Sequence, residues 1–403
     1  MRTMKKYPRI YETIVKDHFD KYRQMVFLSG PRQVGKSTVG EDLATTYLSW
    51  DDEDVRKAMM TGQKSVVEKF GLSSLAKANS IVAFDEIHKF GRWKQFLKGF
   101  YDVYAKGMKI LATGSAKMDV YKKGGESMMG RYFPYRMHPL SVAKLLDVST
   151  PDEKLIRAPR RLPDDEWEAL LKFGGFPDPF VRRDARFSRR WNALRFEQLT
   201  RIDIRDLTQI VELDQLAALA QILSLRSGEQ LVYKNLAAEV GVDEKTVKKW
   251  VKALKGLYFG FEVRPWFKNV ENSIRKTPKW FMRDWSRVED GGKRAETLVA
   301  CHLLKAVEGW TDLGFGDFSL NYLRNKQKRE VDFLIARDNK PWFLVEVKKG
   351  AEGLSENLSI YQKQTGARHA FQVVLDGAYV NRDCFEVETP VVVPARTFLS
   401  QLL

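Results

Sequence analysis

A glycine-rich loop between an apolar run and a helical pattern most strongly constrains how this chain folds. The apolar run 25–28 leads into Gly30-Pro-Arg-Gln-Val-Gly-Lys-Ser37, which matches the Walker A pattern at every required position. In such a loop the backbone N–H groups surround phosphates, the lysine neutralises β- and γ-phosphate oxygens, and the serine hydroxyl binds Mg²⁺. The loop therefore predicts a site for ATP and Mg²⁺. The predicted nucleotide contacts in it are Gly30, Pro31, Arg32, Gln33, Val34, Gly35, Lys36, Ser37 and Thr38.

Further short apolar runs follow the loop, and helical patterns separate them. Strand-like runs that alternate with helices predict a parallel sheet covered on both faces, and hence an α/β fold. We expect a P-loop domain over residues 1–145 and a helical, lid-like region over 146–205. The predicted strands after the loop lie at 46–50, 81–84, 108–112 and 132–137.

Acidic and small polar residues follow two of these predicted strands. Asp85 would hold the Mg²⁺ shell, and Glu86 would polarise the water that attacks the γ-phosphate. Ser115 ends a later strand and would contact the γ-phosphate or that water; it is preferred over Thr113, and a simple turn is the alternative. Arg131 precedes the last strand. It is either an arginine finger for a neighbouring subunit's nucleotide or an ordinary sheet-edge residue.

The middle of the chain, residues 206–265, is similar to a winged-helix unit. Helices are predicted over 234–240 and 245–254, and Asp243 is a suitable N-cap for the second. Lysines of the second helix recur every three or four residues and therefore share one face. Such a face can meet DNA phosphates, or it is a solvated lysine face on a helical connector. These lysines are Lys245, Lys248, Lys249 and Lys252.

A second set of charged residues lies in the remaining segment, 266–403. Asp332 lies on one strand pattern, and Glu346 and Lys348 lie on the next, which predicts a β-hairpin with the latter two on one face. Carboxylates on neighbouring strands can bind Mg²⁺ or Mn²⁺, so Asp332 and Glu346 are the predicted metal ligands. Lys348 would orient water and stabilise phosphate charge. The alternative is a charged outward face with a cross-strand ion pair.

The order of these parts resembles the AAA+ ATPases, and more specifically a bacterial and archaeal family with an AAA domain of the AAA_14 type followed by a DUF4143 domain. That resemblance implies the AAA+ fold and, by analogy, a ring-like homo-oligomer. One departure is that the helical part shows no clear second sensor arginine. The resemblance rests on Ser-Gly-Pro-Arg-Gln-Val-Gly-Lys-Ser-Thr38, Phe-Asp-Glu-Ile-His88, Thr-Gly-Ser115, Gly-Arg-Tyr132, His-Pro-Leu-Ser141 and Gly-Gly-Phe-Pro177.

The hairpin pattern resembles the core of the PD-(D/E)xK nucleases. This resemblance implies a further acid from the preceding helix, where Glu296 is the candidate, and Gln362 is an addition from a following helix. The basic stretch 324–329 lies just upstream and is suited to a DNA backbone. The implied nuclease residues are Glu296, Asp332, Glu346 and Lys348.

The charge and composition of the chain limit the classes of partner, bound metal and cellular location that we expect. The formal net charge of +16 favours a polyanion, with nucleic acid first and a membrane surface second, although an unspecific basic surface is the alternative. Cys301 and Cys384 have no partner at metal-ligand spacing, which argues against a zinc site or a disulfide framework. No signal peptide and no run of 18 apolar residues is apparent, so we expect a soluble cytoplasmic protein.

These patterns lead to one main hypothesis and two alternatives. The main hypothesis is a Mg²⁺-dependent ATPase that acts on DNA and couples hydrolysis to DNA binding, remodelling or metal-dependent cleavage. The first alternative is an ATP-switched nucleic-acid-binding regulator, and the second is a STAND-like defence ATPase. In both alternatives the nuclease-like domain does not cut. The patterns do not distinguish DNA from RNA.

Overall fold

A computed structural model shows two compact units, and each is described by itself. We call residues 6–139 with 148–150 the N-terminal unit, and residues 140–147 with 151–403 the C-terminal unit. In the described residues no helix combines the length and apolar character needed to cross a bilayer. The structure describes residues 7–72, 80–115, 128–147, 149–150, 155–207, 210–267, 277–325, 327–350 and 353–403.

The N-terminal unit contains a five-stranded sheet in which every paired strand is parallel. The strand order is β2-β3-β4-β1-β5, which confirms the predicted parallel sheet. Because the strands are parallel, their carboxyl ends meet at one edge, and the phosphate loop follows β1 there. The strands are β1 (Met25–Ser29), β2 (Thr46–Ser49), β3 (Ile81–Asp85), β4 (Lys109–Gly114) and β5 (Tyr132–Arg136).

Helices cover this sheet and bury aromatic side chains against it. Phe84 of β3 packs edge-on against Phe96 and Phe100 of α5, with ring centroids 5.7 and 5.1 Å apart. Removing one such buried ring, as in Phe100→Ala, costs about 3–5 kcal/mol in typical cores. The helices are α1 (Ile10–Lys21), α2 (Lys36–Leu43), α3 (Glu53–Thr61), α4 (Gln63–Lys69) and α5 (Trp93–Tyr104).

The C-terminal unit begins with helices. A π-helical turn, Gln198–Asp203, connects α9 to α10. Asp243 caps α13 by accepting hydrogen bonds from the backbone N–H groups of Lys245 and Thr246, as the sequence predicts. The helices are α6 (Val142–Leu146), α7 (Asp164–Phe173), α8 (Pro177–Arg182), α9 (Ala185–Glu197), α10 (Ile204–Leu207), α11 (Leu213–Leu225), α12 (Tyr233–Val240) and α13 (Glu244–Gly256).

A seven-stranded mixed sheet of order β12-β11-β10-β9-β8-β6-β7 completes this unit. Asp338 and Asn339 join β9 to β10 with positive φ angles of 50° and 61°, the conformation of a tight hairpin turn, so the predicted hairpin is confirmed. Its strands are β6 (Gly260–Pro265), β7 (Lys279–Met282), β8 (Phe318–Arg324), β9 (Glu330–Arg337), β10 (Lys340–Lys348), β11 (His369–Val374) and β12 (Val391–Pro394). Three helices accompany them: α14 (Gly291–Asp312), α15 (Glu356–Thr365) and α16 (Ala395–Ser400).

The β6–β7 hairpin, which follows α13, is part of a winged-helix-like order of elements and also part of the mixed sheet. β6 and β7 pair antiparallel after three helices, which is the order of a winged-helix unit. β6 also pairs parallel with β8 through Arg264 and Pro265, so this hairpin continues the mixed sheet. The predicted boundary at residue 265 falls between the two strands of the hairpin.

Candidate functional site

The predicted phosphate loop folds at the carboxyl end of β1. Gly35 has a left-handed backbone (φ 96°) immediately before α2 begins at Lys36. A Cβ at Gly30 would lie 2.3 Å from the carbonyl oxygen of Met137, so only glycine fits at this close backbone approach. The loop therefore leads into a helix N-terminus, where free backbone N–H groups favour phosphate.

The Lys36 ammonium lies inside this loop. Its Nζ donates to the carbonyl oxygens of Gly30 at 3.0 Å and Pro31 at 2.7 Å, and the residue is only 4% exposed. Burial lowers the pKa of Lys36 to about 8, and the nearby carboxylates of Glu86 and Asp85 partly offset this effect. A buried cation beside the phosphate loop is suited to neutralise phosphate charge.

The Asp85 carboxylate, at the end of β3, accepts several hydrogen bonds beside the phosphate loop. It accepts from the Ser37 hydroxyl at 3.1 Å and from the Thr113 hydroxyl. Tyr47 of β2 also donates to Asp85, and burial together with this contact raises the pKa of Tyr47. Ser37 and Asp85 thus place two hard oxygen ligands side by side. These residues fit Mg²⁺, which prefers such ligands.

Glu86, His88 and Ser115 form a second group, called the Glu86 cluster. The Ser115 hydroxyl donates to Glu86 Oε2 at 3.3 Å, and His88 Nε2 lies 3.6 Å from the same oxygen. Glu86 itself has a left-handed backbone (φ 53°), which is uncommon outside glycine. Burial lowers the pKa of His88 to about 4, with Lys89 contributing, so the imidazole is neutral at pH 7.

Arg131 lies at the other end of the same sheet. Its carbonyl accepts from the N–H of Met25, the first residue of β1, whereas the phosphate loop follows the last residue of β1. Its guanidinium forms a bidentate ion pair with Asp102 of α5 at 2.8 and 3.0 Å. Arg131 therefore does not reach the nucleotide site of its own subunit, and a role at a neighbouring subunit stays a prediction.

Sequence patterns do not identify Arg9, Tyr47 or His88 as site residues. The Arg9 guanidinium donates to the carbonyl oxygen of Val34 in the phosphate loop, and burial lowers the pKa of Arg9 to about 10. Arg9 and Tyr47 reach the site only through tertiary packing and carry no local motif. His88 follows Glu86 by two residues and ends the Phe-Asp-Glu-Ile-His88 motif, although the sequence gives it no role.

The predicted nuclease-like residues lie on the β9–β10 hairpin and on α14. Asp332 Oδ2 accepts a hydrogen bond from the backbone N–H of Val347 at 2.8 Å. Lys348 Nζ lies 3.5 Å from Glu346 Oε1 on the same strand face. Burial and the neighbouring Asp332 carboxylate raise the pKa of Glu346 to about 7. The structure therefore brings Asp332 and Glu346 close together, as the hairpin pattern predicts.

Lys279 and Glu330, which the sequence does not predict as site residues, complete this group. Lys279 Nζ lies 2.5 Å from Glu330 Oε1, 3.0 Å from Glu296 Oε1 and 3.8 Å from Asp332 Oδ1. We call Lys279, Glu296, Glu330 and Asp332 the Lys279 cluster. Within the described part of the chain, no three His, Cys, Asp or Glu side chains are grouped to hold a metal ion. In the Lys279 cluster the three carboxylates surround an ammonium group.

The interpretation of Gln362 as part of this site is not supported by its contacts. Gln362 Nε2 donates to the carbonyl oxygens of Glu388 at 2.6 Å and Arg368 at 3.3 Å. The neighbouring Tyr361 is buried and donates to the carbonyl of Arg329. Of the basic stretch 324–329, residue 326 lies outside the described residues, and Arg324 pairs with Glu330 at 3.1 Å.

The lysine face of α13 is exposed as predicted. Val247, Val251 and Leu254 fill the core on the opposite side of the helix. Lys248 pairs with Glu244 at 2.6 Å and lies over the Tyr233 ring. The exposed lysines are Lys245, Lys248, Lys249 and Lys252.

Family comparisons agree with this arrangement. A model of the AAA domain family matches residues 22–146, which contain the phosphate loop and the Glu86 cluster. A model of a domain of unknown function, DUF4143, matches residues 291–391. The chain is an AAA-like ATPase with a C-terminal DUF4143 domain. Between these two domains, residues 164–288 match another domain of unknown function, DUF8612, which spans α7 to α13 and the β6–β7 hairpin of this ATPase.

The AAA-like ATPase is also similar to individual proteins. Uncharacterized protein Rv2008c of Mycobacterium tuberculosis and Mb2031c of Mycobacterium bovis are each 23% identical over 330 residues, which cover 79% of this chain and 69% of theirs. AMPPCP-bound DnaA from Aquifex aeolicus is 13% identical, with 61% of this chain and 87% of that chain covered and a TM-score of 0.31. The Pif1 helicase of Candida albicans is 12% identical, with 49% and 48% covered and a TM-score of 0.21. Because these scores are low, the assignment rests on the family matches and the site geometry.

Proposed function

We propose that this AAA-like ATPase hydrolyses ATP with Mg²⁺ and couples hydrolysis to binding or remodelling of DNA. The observation that carries the proposal is the grouping of Lys36, the Ser37–Asp85 pair and Glu86 at one edge of the parallel sheet. β1 and β3 both flank β4, so residues from distant segments meet at the carboxyl ends of the strands. Open α/β sheets bind ligands at this edge.

Each residue of the nucleotide site has a chemical role in this proposal. The loop N–H groups and Lys36 bind the phosphate oxygens and orient the γ-phosphate. Ser37 and Asp85 hold Mg²⁺, which supplies charge neutralisation on the phosphates. Glu86 orients the attacking water and accepts its proton, and the Ser115 hydroxyl, which His88 Nε2 approaches at 3.3 Å, holds the Glu86 carboxylate in place. In a ring-like homo-oligomer, Arg131 would serve as the finger for the neighbouring site.

The DNA part of the proposal is supported by charge and topology. Four lysines lie exposed on one face of α13, the second helix of a helix–turn–helix arrangement. In winged-helix units this helix enters the major groove, and lysines contact phosphates as point charges. The net charge of +16 adds a general attraction for a polyanion.

A second candidate function is an ATP-switched regulator that holds nucleic acid and does not cut it. Lys279 favours this candidate over a cutting enzyme, because its ammonium is paired with acids that a nuclease would use for a metal. The STAND-like alternative shares the non-cutting domain but predicts slow turnover that nucleic acid does not change.

Phosphate release by the purified full chain tests the proposal, with Mg²⁺ and with or without duplex DNA, single-stranded DNA or RNA. We expect Mg²⁺-dependent turnover that DNA increases. Glu86→Gln should still bind nucleotide while turnover falls by about 10²–10⁴-fold, the usual contribution of a positioned base. Slow turnover that no nucleic acid changes would favour the STAND-like alternative. No turnover under any of these conditions would overturn the ATPase proposal.

A further inference from the structure

Lys279 lies among the acids that the nuclease resemblance assigns to catalysis. It is the first residue of β7, and its side chain is only 6% exposed. Its Nζ contacts carboxylates from α14 and β9, namely Glu296, Glu330 and, at 3.8 Å, Asp332. One ammonium group therefore connects the β6–β7 hairpin to two elements of the DUF4143 domain.

The electrostatics of the Lys279 cluster keep this ammonium charged. The carboxylates of Glu296, Glu330 and Asp332 lie within 3.8 Å of the Lys279 Nζ and offset the cost of burying its charge. Glu296 contributes the α14 side of this contact, with its Oε1 3.0 Å from the Lys279 Nζ. Tyr322 supports the same position, with its ring centroid 5.6 Å from Lys279 Nζ.

The Lys279 ammonium competes with a divalent cation for the same carboxylate oxygens. Mg²⁺ or Mn²⁺ takes about six oxygen ligands at roughly 2.0–2.2 Å, and the same carboxylate oxygens already accept from Lys279. A second cation within a few ångströms would be repelled strongly in a partly buried site. Glu346, the other predicted ligand, lies beside its own lysine, Lys348.

We infer that Lys279 takes the place of the divalent cation in the nuclease-like site, so that Glu296, Glu330 and Asp332 hold an ammonium and no catalytic metal. The cluster then has a structural role, since it holds β7 against α14 and β9. In this form the DUF4143 domain can hold a nucleic acid backbone through its basic residues without cutting it.

Mn²⁺ binding by the nucleotide-free full chain tests this inference. The Asp85→Asn background removes the proposed Mg²⁺ ligand of the nucleotide site, and free Mn²⁺ is counted by electron paramagnetic resonance during titration. We expect the Asp85→Asn chain to bind the same amount of Mn²⁺ whether or not it also carries Asp332→Asn. Lys279→Gln should gain about one Mn²⁺ per chain, because an amide leaves the three carboxylates uncompensated. Adding Asp332→Asn should abolish that gain.

Lys255→Gln is the matched control, since it also removes an ion-paired lysine of the C-terminal unit, the partner of Glu262 at 2.8 Å. This control should gain no Mn²⁺. Mn²⁺ bound through Asp332 while Lys279 is intact would overturn the inference, and so would a folded Lys279→Gln chain that gains none. If Lys279→Gln does not fold, the comparison of Asp332→Asn with its background still decides. The titration uses no ATP, so its outcome is separate from that of the ATPase assay.

Discussion

The Ser115 hydroxyl lies 3.3 Å from Glu86 Oε2, although the two residues follow different strands of the parallel sheet. β3 and β4 are neighbours, so the residues after their carboxyl ends meet at one edge. The same hydroxyl lies 3.3 Å from His88 Nε2. The Ser115 hydroxyl therefore holds the proposed base and is itself contacted by His88. We expect the rate of hydrolysis to depend on where the Glu86 carboxylate is held.

Replacing Ser115 tests whether this contact positions Glu86. Ser115→Ala should lower kcat by about 10–100-fold with little change in KM, because a displaced base costs rate more than binding. Ser115→Thr keeps the hydroxyl and should recover part of the loss. Steady-state phosphate release gives both constants. Thr61→Ala removes an exposed hydroxyl of the same unit and should leave both unchanged. Equal effects of Ser115→Ala and Ser115→Thr would refute the positioning role.

Burial of His88 predicts a pH dependence of stability. The pKa of His88 is about 4 in the folded chain and near 6.5 when unfolded, so between these values only the unfolded state binds the proton. The free energy of unfolding should therefore fall on acidification from about pH 6.5 to 4, by up to about 3 kcal/mol more than in His88→Gln. Denaturant unfolding curves measured across this pH window test the prediction. The relevant transition is the one that bound nucleotide shifts, because His88 lies in the unit that holds the nucleotide site. Parallel pH profiles of the two chains would contradict the prediction.

Local sequence patterns predict much of this fold, because each predicted feature is determined by residues that are close together in the sequence. The Walker A loop, the alternating strands and helices, the Asp243 cap and the β9–β10 hairpin all depend on neighbouring residues. Lys279 is different, because it meets Glu296 and Glu330 only through the packing of β7, α14 and β9. The spacing of these residues in the sequence therefore does not predict their contact. Gln362 shows the same limit, since its helix was predicted but the contacts of its side chain were not.

The close approach at Gly30 predicts a strong effect of one added methyl group. Gly30→Ala would place a Cβ 2.3 Å from the Met137 carbonyl oxygen, so the loop must shift. We expect a loss of roughly 1–3 kcal/mol in the free energy of unfolding, typical of overpacking, together with a large loss of nucleotide affinity. Denaturant unfolding and nucleotide titration measure the two effects. Gly91→Ala is the matched control, because nothing lies within 4 Å of its Cβ; an equal effect there would contradict the steric explanation.

The lysine face of α13 predicts a specific salt dependence of DNA binding. Each phosphate contact contributes about 0.9 to the slope of log affinity against log salt concentration. A triple replacement of Lys245, Lys249 and Lys252 by alanine should therefore weaken duplex binding and reduce the slope by up to about 3. Fluorescence anisotropy of labelled duplex at several salt concentrations measures both.

The control carries the same change of net charge at other exposed lysines. It replaces Lys16, Lys57 and Lys64, all of the N-terminal unit, by alanine. If α13 contacts the duplex, this chain keeps its slope, because none of the replaced lysines lies on the α13 face and their loss only weakens the general attraction. Equal losses in the two triple variants would show that the net charge of +16, and not the α13 face, attracts DNA.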